Sequence, residues 1–278
     1  MTTLGATFVL LRIEELFRRS YLKFLKLLFT ETIPISFYNL KLYIFSDGFG
    51  SIEENIFDNI YFTDEEIRNA ETIIDLGAHH GSFTVWAILK SSPGSTIIAV
   101  EPNPLAVKLC LQNIKLLRDI ISIKKLMVKV INAAVWDSRG MASLQNVYWS
   151  EGAYISDEVS GRFKVKTFTL NDILKNSNGR TVVKIDIEGA EYRVLNKAEL
   201  EKIDRISLEV HDNAKQIMNL LMDKGFKTLV CTYPITKSFT VMWLKINPKK
   251  YSSLIALYRL MVSQIAKPRI TIIKGFRT

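Results

Sequence analysis

The chain of 278 residues is poor in the residues that staple or punctuate a fold. Its two cysteines, Cys110 and Cys231, lie far apart and in no C-x-x-C spacing, which excludes a disulfide framework and a cysteine zinc site. Seven prolines and 13 glycines are too few for a collagen-like or proline-rich linker architecture. No run of 18 or more uncharged apolar residues occurs, so no spanning helix is expected. The N-terminus lacks a basic segment and a small-residue cleavage site around its short apolar stretch, so it does not read as a secretory signal and a cytoplasmic protein is expected. Acids are missing from one end of the chain. None follows Asp223, whereas 11 lysines and arginines do, and the preceding residues hold 26 bases against 28 acids. The formal charge of +9 is therefore a near-neutral body with a basic C-terminal end.

Hydrophobic residues make up 48% of the sequence and charged residues 23%, enough to bury a core. Short β-rich runs (Thr72–Leu76, Thr96–Glu101, Val130–Val135, Val182–Asp186, Ile206–Val210) alternate with segments that read as helices (Phe83–Ser91, Pro104–Leu117, Glu191–Lys202, Ala214–Lys224). Continuous apolar strands between helices predict a parallel sheet covered on both faces. Met141–Leu170 reads as extra strands inserted ahead of the fourth core strand. Thr228–Tyr233 and Phe239–Ile246 flank Pro234-Ile235-Thr236, a hairpin signal that would place one antiparallel strand in the sheet. Amphipathic helices are expected over Leu10–Phe29 and Lys249–Lys267. The fold class is thus α/β, a Rossmann-like doubly wound, mostly parallel sheet with N- and C-terminal helical extensions. Residues 1–70 read as an amphipathic helix and lead-in, 71–246 as the α/β domain, and 247–278 as a basic helical extension.

Three places carry chemistry. In the first, Asp75-Leu76-Gly77-Ala78-His79-His80-Gly81 turns from a strand through a glycine bend into a helix. Gly77 and Gly81 are four apart, so this is not the G-x-G-x-x-G dinucleotide fingerprint. Such a turn lets backbone approach a ligand, the helix start offers N–H donors to an anion, and Asp75 can engage a cationic amine. In the second, Glu101 ends the next strand, where a carboxylate accepts both hydroxyls of a ribose. In the third, Asp186, Glu188 and Glu191 follow a buried-strand pattern, and Glu209 and His211 end the neighbouring strand. Charges there are costly unless paired, bound or functional. His211 is a candidate general base. The three histidines, His79, His80 and His211, all fall at strand ends, but adjacent His79 and His80 are poorly placed to share an ion.

With these residues in view the chain resembles a class I S-adenosylmethionine-dependent methyltransferase of the FkbM family. The resemblance rests on Asp75 to Gly81, on Glu101-Pro102-Asn103-Pro104 with Asn113, and on Asn132-Ala133-Ala134-Val135. It rests also on Lys184-Ile185-Asp186-Ile187-Glu188-Gly189-Ala190-Glu191, its most specific element, and on Glu209-Val210-His211. It covers about Thr72 to Ile246 and implies a seven-stranded sheet. By resemblance Asp75, Gly77, Ala78 and Gly81 surround the methionyl part of S-adenosyl-L-methionine, with His79 among the cofactor-binding residues. Glu101 holds the ribose with Asn103 beside it, Ala133 or its neighbours border the adenine, and Asp186 lies nearest the methyl. The family often has Asn where this chain has His79.

The family's substrates imply O-methylation of a hydroxyl on a small molecule, glycan or lipid headgroup, by in-line displacement with Asp186 or His211 as base and Glu209 orienting one of them. No Asn-Pro-Pro-Tyr or Asp-Pro-Pro-Tyr stands at the fourth strand, which argues against methylation of nucleobase or amide nitrogens. A divalent ion held by Asp186, Glu188 or Glu209 and chelated by a diol substrate stays open at this level. The terminal helices are expected to pack as a lid or dimer surface first, to rest on an anionic membrane surface second, and to track nucleic acid third. The competing readings are an NAD-dependent oxidoreductase, disfavoured by the missing fingerprint, and a non-catalytic Rossmann-type binding protein, disfavoured by the crevice acids.

Overall fold

The computed structural model describes residues 32–37, 40–45, 49–145, 154–156, 163–211, 213–233 and 270–277. A hairpin of β1 (Thr32–Phe37) and β2 (Leu40–Phe45) leads into α1 (Phe49–Ile52), a π-helical turn (Glu53–Phe57) and α2 (Asp64–Arg68). Then come β3 (Thr72–Leu76), α3 (Ser82–Lys90), β4 (Thr96–Glu101), α4 (Pro104–Leu116), α5 (Arg118–Lys124) and β5 (Met127–Asn132). After β6 (Ala134–Val135), β7 (Gly140–Leu144), β8 (Ile155–Ser156) and β9 (Phe163–Phe168) come α6 (Leu170–Leu174), β10 (Thr181–Ile185) and α7 (Glu191–Asn196). The series closes with β11 (Arg205–Glu209), α8 (Ala214–Asp223), β12 (Lys227–Tyr233) and β13 (Ile270–Phe276).

The main sheet has seven strands in the order β12-β13-β11-β10-β3-β4-β5, and β13 alone runs antiparallel to its neighbours. The chain builds outward from β3 to β5, then returns to place β10 on the other side of β3. That reversal opens a crevice beyond the carboxyl ends of β3 and β10, where doubly wound sheets bind ligands. Every residue of β3 and of β10 is buried, as expected of central strands covered on both faces. Alternation splits their side chains between two cores: Ile73, Ile97 and Val182 pack with Trp86 of α3, whereas Ile74, Ile98 and Val183 pack with α6, α7 and α8. Each fully buried aliphatic here contributes about 1.5–3 kcal/mol.

Local chemistry sets the helix starts. Pro104 opens α4 behind Asn103, whose side chain accepts from the Leu105 N–H. Thr63 and Thr169 close capping boxes with Glu66 and Asp172. The insertion between β5 and β10 supplies a second sheet, β6-β9-β7-β8, matching the extra strands expected of Met141–Leu170.

Two sequence expectations change. The antiparallel strand is Ile270–Phe276, inside the segment read as a C-terminal extension, while Phe239–Ile246 lies outside the described residues. The third core strand begins at Met127 and ends at Asn132, with Ala134–Val135 a separate strand of the second sheet. The lead-in packs on the α/β domain: Leu42, Ile44, Ile52 and Tyr61 share the core of α3, and Asn113 of α4 bonds both the N–H and the carbonyl of Tyr43. The amphipathic helices expected at 10–29 and 249–267 lie outside the described residues. Among the described residues no helix is long and apolar enough to cross a membrane.

Candidate active site

The crevice begins with the turn after β3. Gly77 has φ +76°, and a Cβ there would stand 1.7 Å from the Asp186 carbonyl oxygen. Gly81 has φ +86°, and its missing Cβ makes room for Cys110 Sγ, 2.7 Å from where it would lie. Both glycines thus let protein close on protein, fixing the bend against β10 and α4. The Gly77 and Ala78 N–H groups donate to the Val100 carbonyl, tying the bend to β4.

Beneath the turn lies a buried ion-pair network. Asp75 is fully buried and accepts from Thr84 Oγ1 at 2.6 Å. Lys184, opposite Asp75 in the β3/β10 register, places its Nζ 2.8 Å from the Gly77 carbonyl oxygen, 3.3 Å from Asp75 and 3.5 Å from Asp186. Burial alone lowers the Lys184 pKa, but Asp75 and Asp186 outweigh it and hold the ammonium charged. Asp75 therefore meets a cationic amine of this chain and stabilises the turn from below, instead of facing the open crevice.

Glu101 sits at the crevice edge with little exposure. One carboxylate oxygen accepts from the His79 N–H and the other from the Asn103 N–H, each at 2.8 Å. Burial pushes its carboxyl up to about 7, against those two N–H groups, which favour the anion. Asn103 is held by this contact and by its capping role. Ala133 is fully buried and donates its N–H to the Glu101 carbonyl.

His79 has φ +51°, a left-handed position uncommon for a non-glycine residue. Its ring lies against Phe45 and His80, and burial lowers its pKa to about 4. His80 is fully buried, with Nε2 3.2 Å from Ser51 Oγ, and burial holds it neutral as well. The three histidines do not converge. Of the three, only His211 joins a cluster of metal-ligating groups among the described residues.

At the far wall Asp186 follows β10 with its side chain 25% exposed, the one network carboxylate open to the crevice. The Tyr61 hydroxyl lies 3.5 Å from Asp186 Oδ2 and 3.3 Å from Glu209 Oε2, linking the two acids. Burial first, then the charges of Asp186 and Glu209, raise the Tyr61 pKa far above its ordinary value, so it stays a donor. His211 places Nδ1 3.1 Å from Glu191 Oε1 and Nε2 3.3 Å from Glu188 Oε2. Burial lowers its pKa, but the hydrogen bond to Glu191 and the charges of Asp186, Glu188 and Glu191 outweigh that and push it up to about 9.

The turn and Glu101 thus lie at the carboxyl ends of β3 and β4, and Asp186, Glu209 and His211 at those of β10 and β11. Lys184 and Tyr61 were missed. A lysine inside the apolar run Thr181–Ile185 was the available signal for the first; nothing in the lead-in sequence pointed to the second.

The sequence of residues 75–228 matches the family described as the methyltransferase FkbM domain. The chain belongs to that family. Its members' cofactor, S-adenosylmethionine, fits the donor set: an anchored carboxylate at the end of β4 for a ribose, and the open carboxylate of Asp186 for a sulfonium. This FkbM chain is therefore an S-adenosylmethionine-dependent methyltransferase. A comparison with curated proteins gave no match. Among solved structures, it is similar to an FkbM methyltransferase from Methylobacillus flagellatus KT, at 12% identity and TM-score 0.46, covering 81% of this chain and 48% of that one. It is also similar to a precorrin-6y C5,15-methyltransferase from Geobacter metallireducens GS-15 (13% identity, TM-score 0.42, 77% of this chain and 85% of that one). A third is TYW2 of M. jannaschii in complex with AdoMet (13% identity, TM-score 0.41, 89% and 87%). Likenesses this distant say nothing about the acceptor.

Proposed function

We propose that the protein methylates a hydroxyl oxygen of a small molecule, glycan or lipid headgroup. One observation carries this reading: Asp186 opens to the crevice while its other partners, Lys184 and Tyr61, lie behind it and tie it to Glu209. An alcohol is a weak nucleophile near neutrality and needs its proton accepted as the new bond forms. When bound, S-adenosylmethionine supplies an electrophilic methyl group on sulfur. The chain's own residues do the rest. Glu101 accepts from the ribose hydroxyls with its backbone donors already in place. Lys184 holds Asp186 and the Gly77 carbonyl in one arrangement, so positioning costs little at the moment of reaction. The acceptor's proton passes to the Asp186–Glu209 carboxylate pair. His211 serves less well as base, because both its nitrogens already face carboxylates.

The test is carbon-13 NMR of products formed from methyl-labelled S-adenosylmethionine and a panel of polyols, phenols and glycosides. Methyl ethers that disappear with Asp186→Asn, while cofactor binding persists, are expected. Labelled methyl on nitrogen or carbon, or unchanged turnover in Asp186→Asn, would overturn the reading.

A further inference from the structure

We propose that Asp186, Glu188 and His211 form a divalent-cation site at the mouth of the crevice, and that the acceptor therefore carries two adjacent oxygens. One ligand atom from each of the three groups lies within 4.8 Å of the other two. In octahedral coordination at about 2.1 Å, cis ligands stand about 3 Å apart and trans ligands about 4.2 Å, so a small inward movement of exposed side chains closes the site. All three are partly open, at 25%, 30% and 22% side-chain exposure, so solvent reaches the side left for other ligands.

A separate observation singles out the imidazole. Glu191 is almost fully buried, and its Oε1 is anchored by the N–H groups of Gly189 and Ile187. That same oxygen lies 3.1 Å from His211 Nδ1. A carboxylate fixed on Nδ1 holds that nitrogen as the N–H donor and orients the ring, so an ion that displaces the proton from Nε2 meets its lone pair, the arrangement that supports a ligating histidine. Nε2 is itself shielded from solvent and without a hydrogen bond, although Glu188 Oε2 is 3.3 Å away and Glu209 Oε1 3.9 Å. The three donors come from separate places in the fold: the end of β10, the left-handed bend at Glu188 and the end of β11. The mixture of two carboxylates and one imidazole suits an ion of intermediate hardness such as Mn2+ better than Ca2+, which takes an all-oxygen shell.

This inference rests on the methyl-transfer reading for its consequence, though not for the site itself. With three protein ligands on one side, the remaining positions fit two neighbouring oxygens of a vicinal diol or of a hydroxyl beside a carbonyl. Coordination weakens the O–H bond and, with Asp186 committed to the ion, the Glu209 member of the carboxylate pair takes the proton. The oxygen lone pair forms the new O–CH3 bond as the S–CH3 bond breaks and its electrons return to sulfur.

The test is Mn2+ titration of the full-length protein, without cofactor or acceptor, read by electron paramagnetic resonance. One bound ion per chain is expected, with affinity reduced about tenfold or more in Glu188→Gln and in His211→Ala. Asp119→Asn, far out on α5 and 87% exposed, should match the wild type. Circular dichroism checks that each variant is folded, and two independent variants guard against one failing. No bound ion in the wild type, or an ion indifferent to both substitutions, would overturn the site. Methyl transfer that continues in chelator-treated, ion-free enzyme would overturn it while leaving the methyltransferase reading intact. A bound ion in an enzyme that transfers no methyl to oxygen would support the site and refute the proposed reaction instead.

Discussion

Replacing Lys184 with Met removes the cation at the centre of the buried network and leaves the side-chain volume nearly unchanged. Lys184 is 3% exposed and Asp75 is fully buried, so neither charge can turn to water for compensation. Asp75 would keep the Thr84 hydrogen bond and lose its ion pair. Removing one partner of a buried pair costs about 3–5 kcal/mol, because the remaining charge is stranded. Set against a typical total of about 5–15 kcal/mol, that is a large part of the stability. Changing Asp75 to Asn as well removes the stranded charge, so the double variant should recover part of the loss. Urea unfolding of wild type, Lys184→Met, Asp75→Asn and the pair gives the coupling energy directly. Strictly additive losses, or a Lys184→Met effect below about 1 kcal/mol, would refute the claim that this ion pair braces the turn.

Gly77→Ala should destabilise the protein and abolish cofactor binding, since its Cβ would stand 1.7 Å from the Asp186 carbonyl oxygen and its φ is +76°. Calorimetry with S-adenosylhomocysteine, which lacks the reactive methyl, checks this; wild-type affinity would contradict it. Cofactor affinity should rise with pH through about 7, because Glu101 has its pKa raised there and only its anion accepts fully from ribose hydroxyls. In folding the sign is opposite. The folded chain keeps this proton above the ordinary carboxylate range, so Glu101 progressively costs stability as pH rises toward 7 and costs the full amount above it. Glu101→Gln should bind the cofactor weakly with a flat pH profile, and a retained slope near 7 would move that titration to another group. Asn113→Ala should loosen the lead-in hairpin from α4, seen as faster amide exchange at Tyr43, because the amide side chain satisfies both backbone groups of that residue.

Much of the fold could be read from the sequence because its central strands are unbroken apolar runs. Thr72–Leu76 and Thr181–Ile185 are buried throughout, so their composition alone reports their place. The last strand was misplaced for a physical reason. Pro234-Ile235-Thr236 offers a nearby turn, whereas β12 pairs with Ile270–Phe276, a partner chosen by tertiary packing across 36 intervening residues. The crevice acids were visible as charges at the ends of apolar strands, where burial demands a reason. Their partners were not. Lys184 reads as a flaw in a strand until the β3/β10 register sets it opposite Asp75. Tyr61 reaches Asp186 and Glu209 from 125 and 148 residues away, a juxtaposition that no local pattern encodes. The glycine turn was recognised, but what fills the space beside its glycines is the Asp186 carbonyl and Cys110.

A crystal structure with S-adenosylhomocysteine tests the account most directly. Ribose hydroxyls on the Glu101 carboxylate, with sulfur turned toward Asp186, are the predicted result. A nucleoside seated elsewhere, or a crevice that stays closed at saturating ligand, would contradict it.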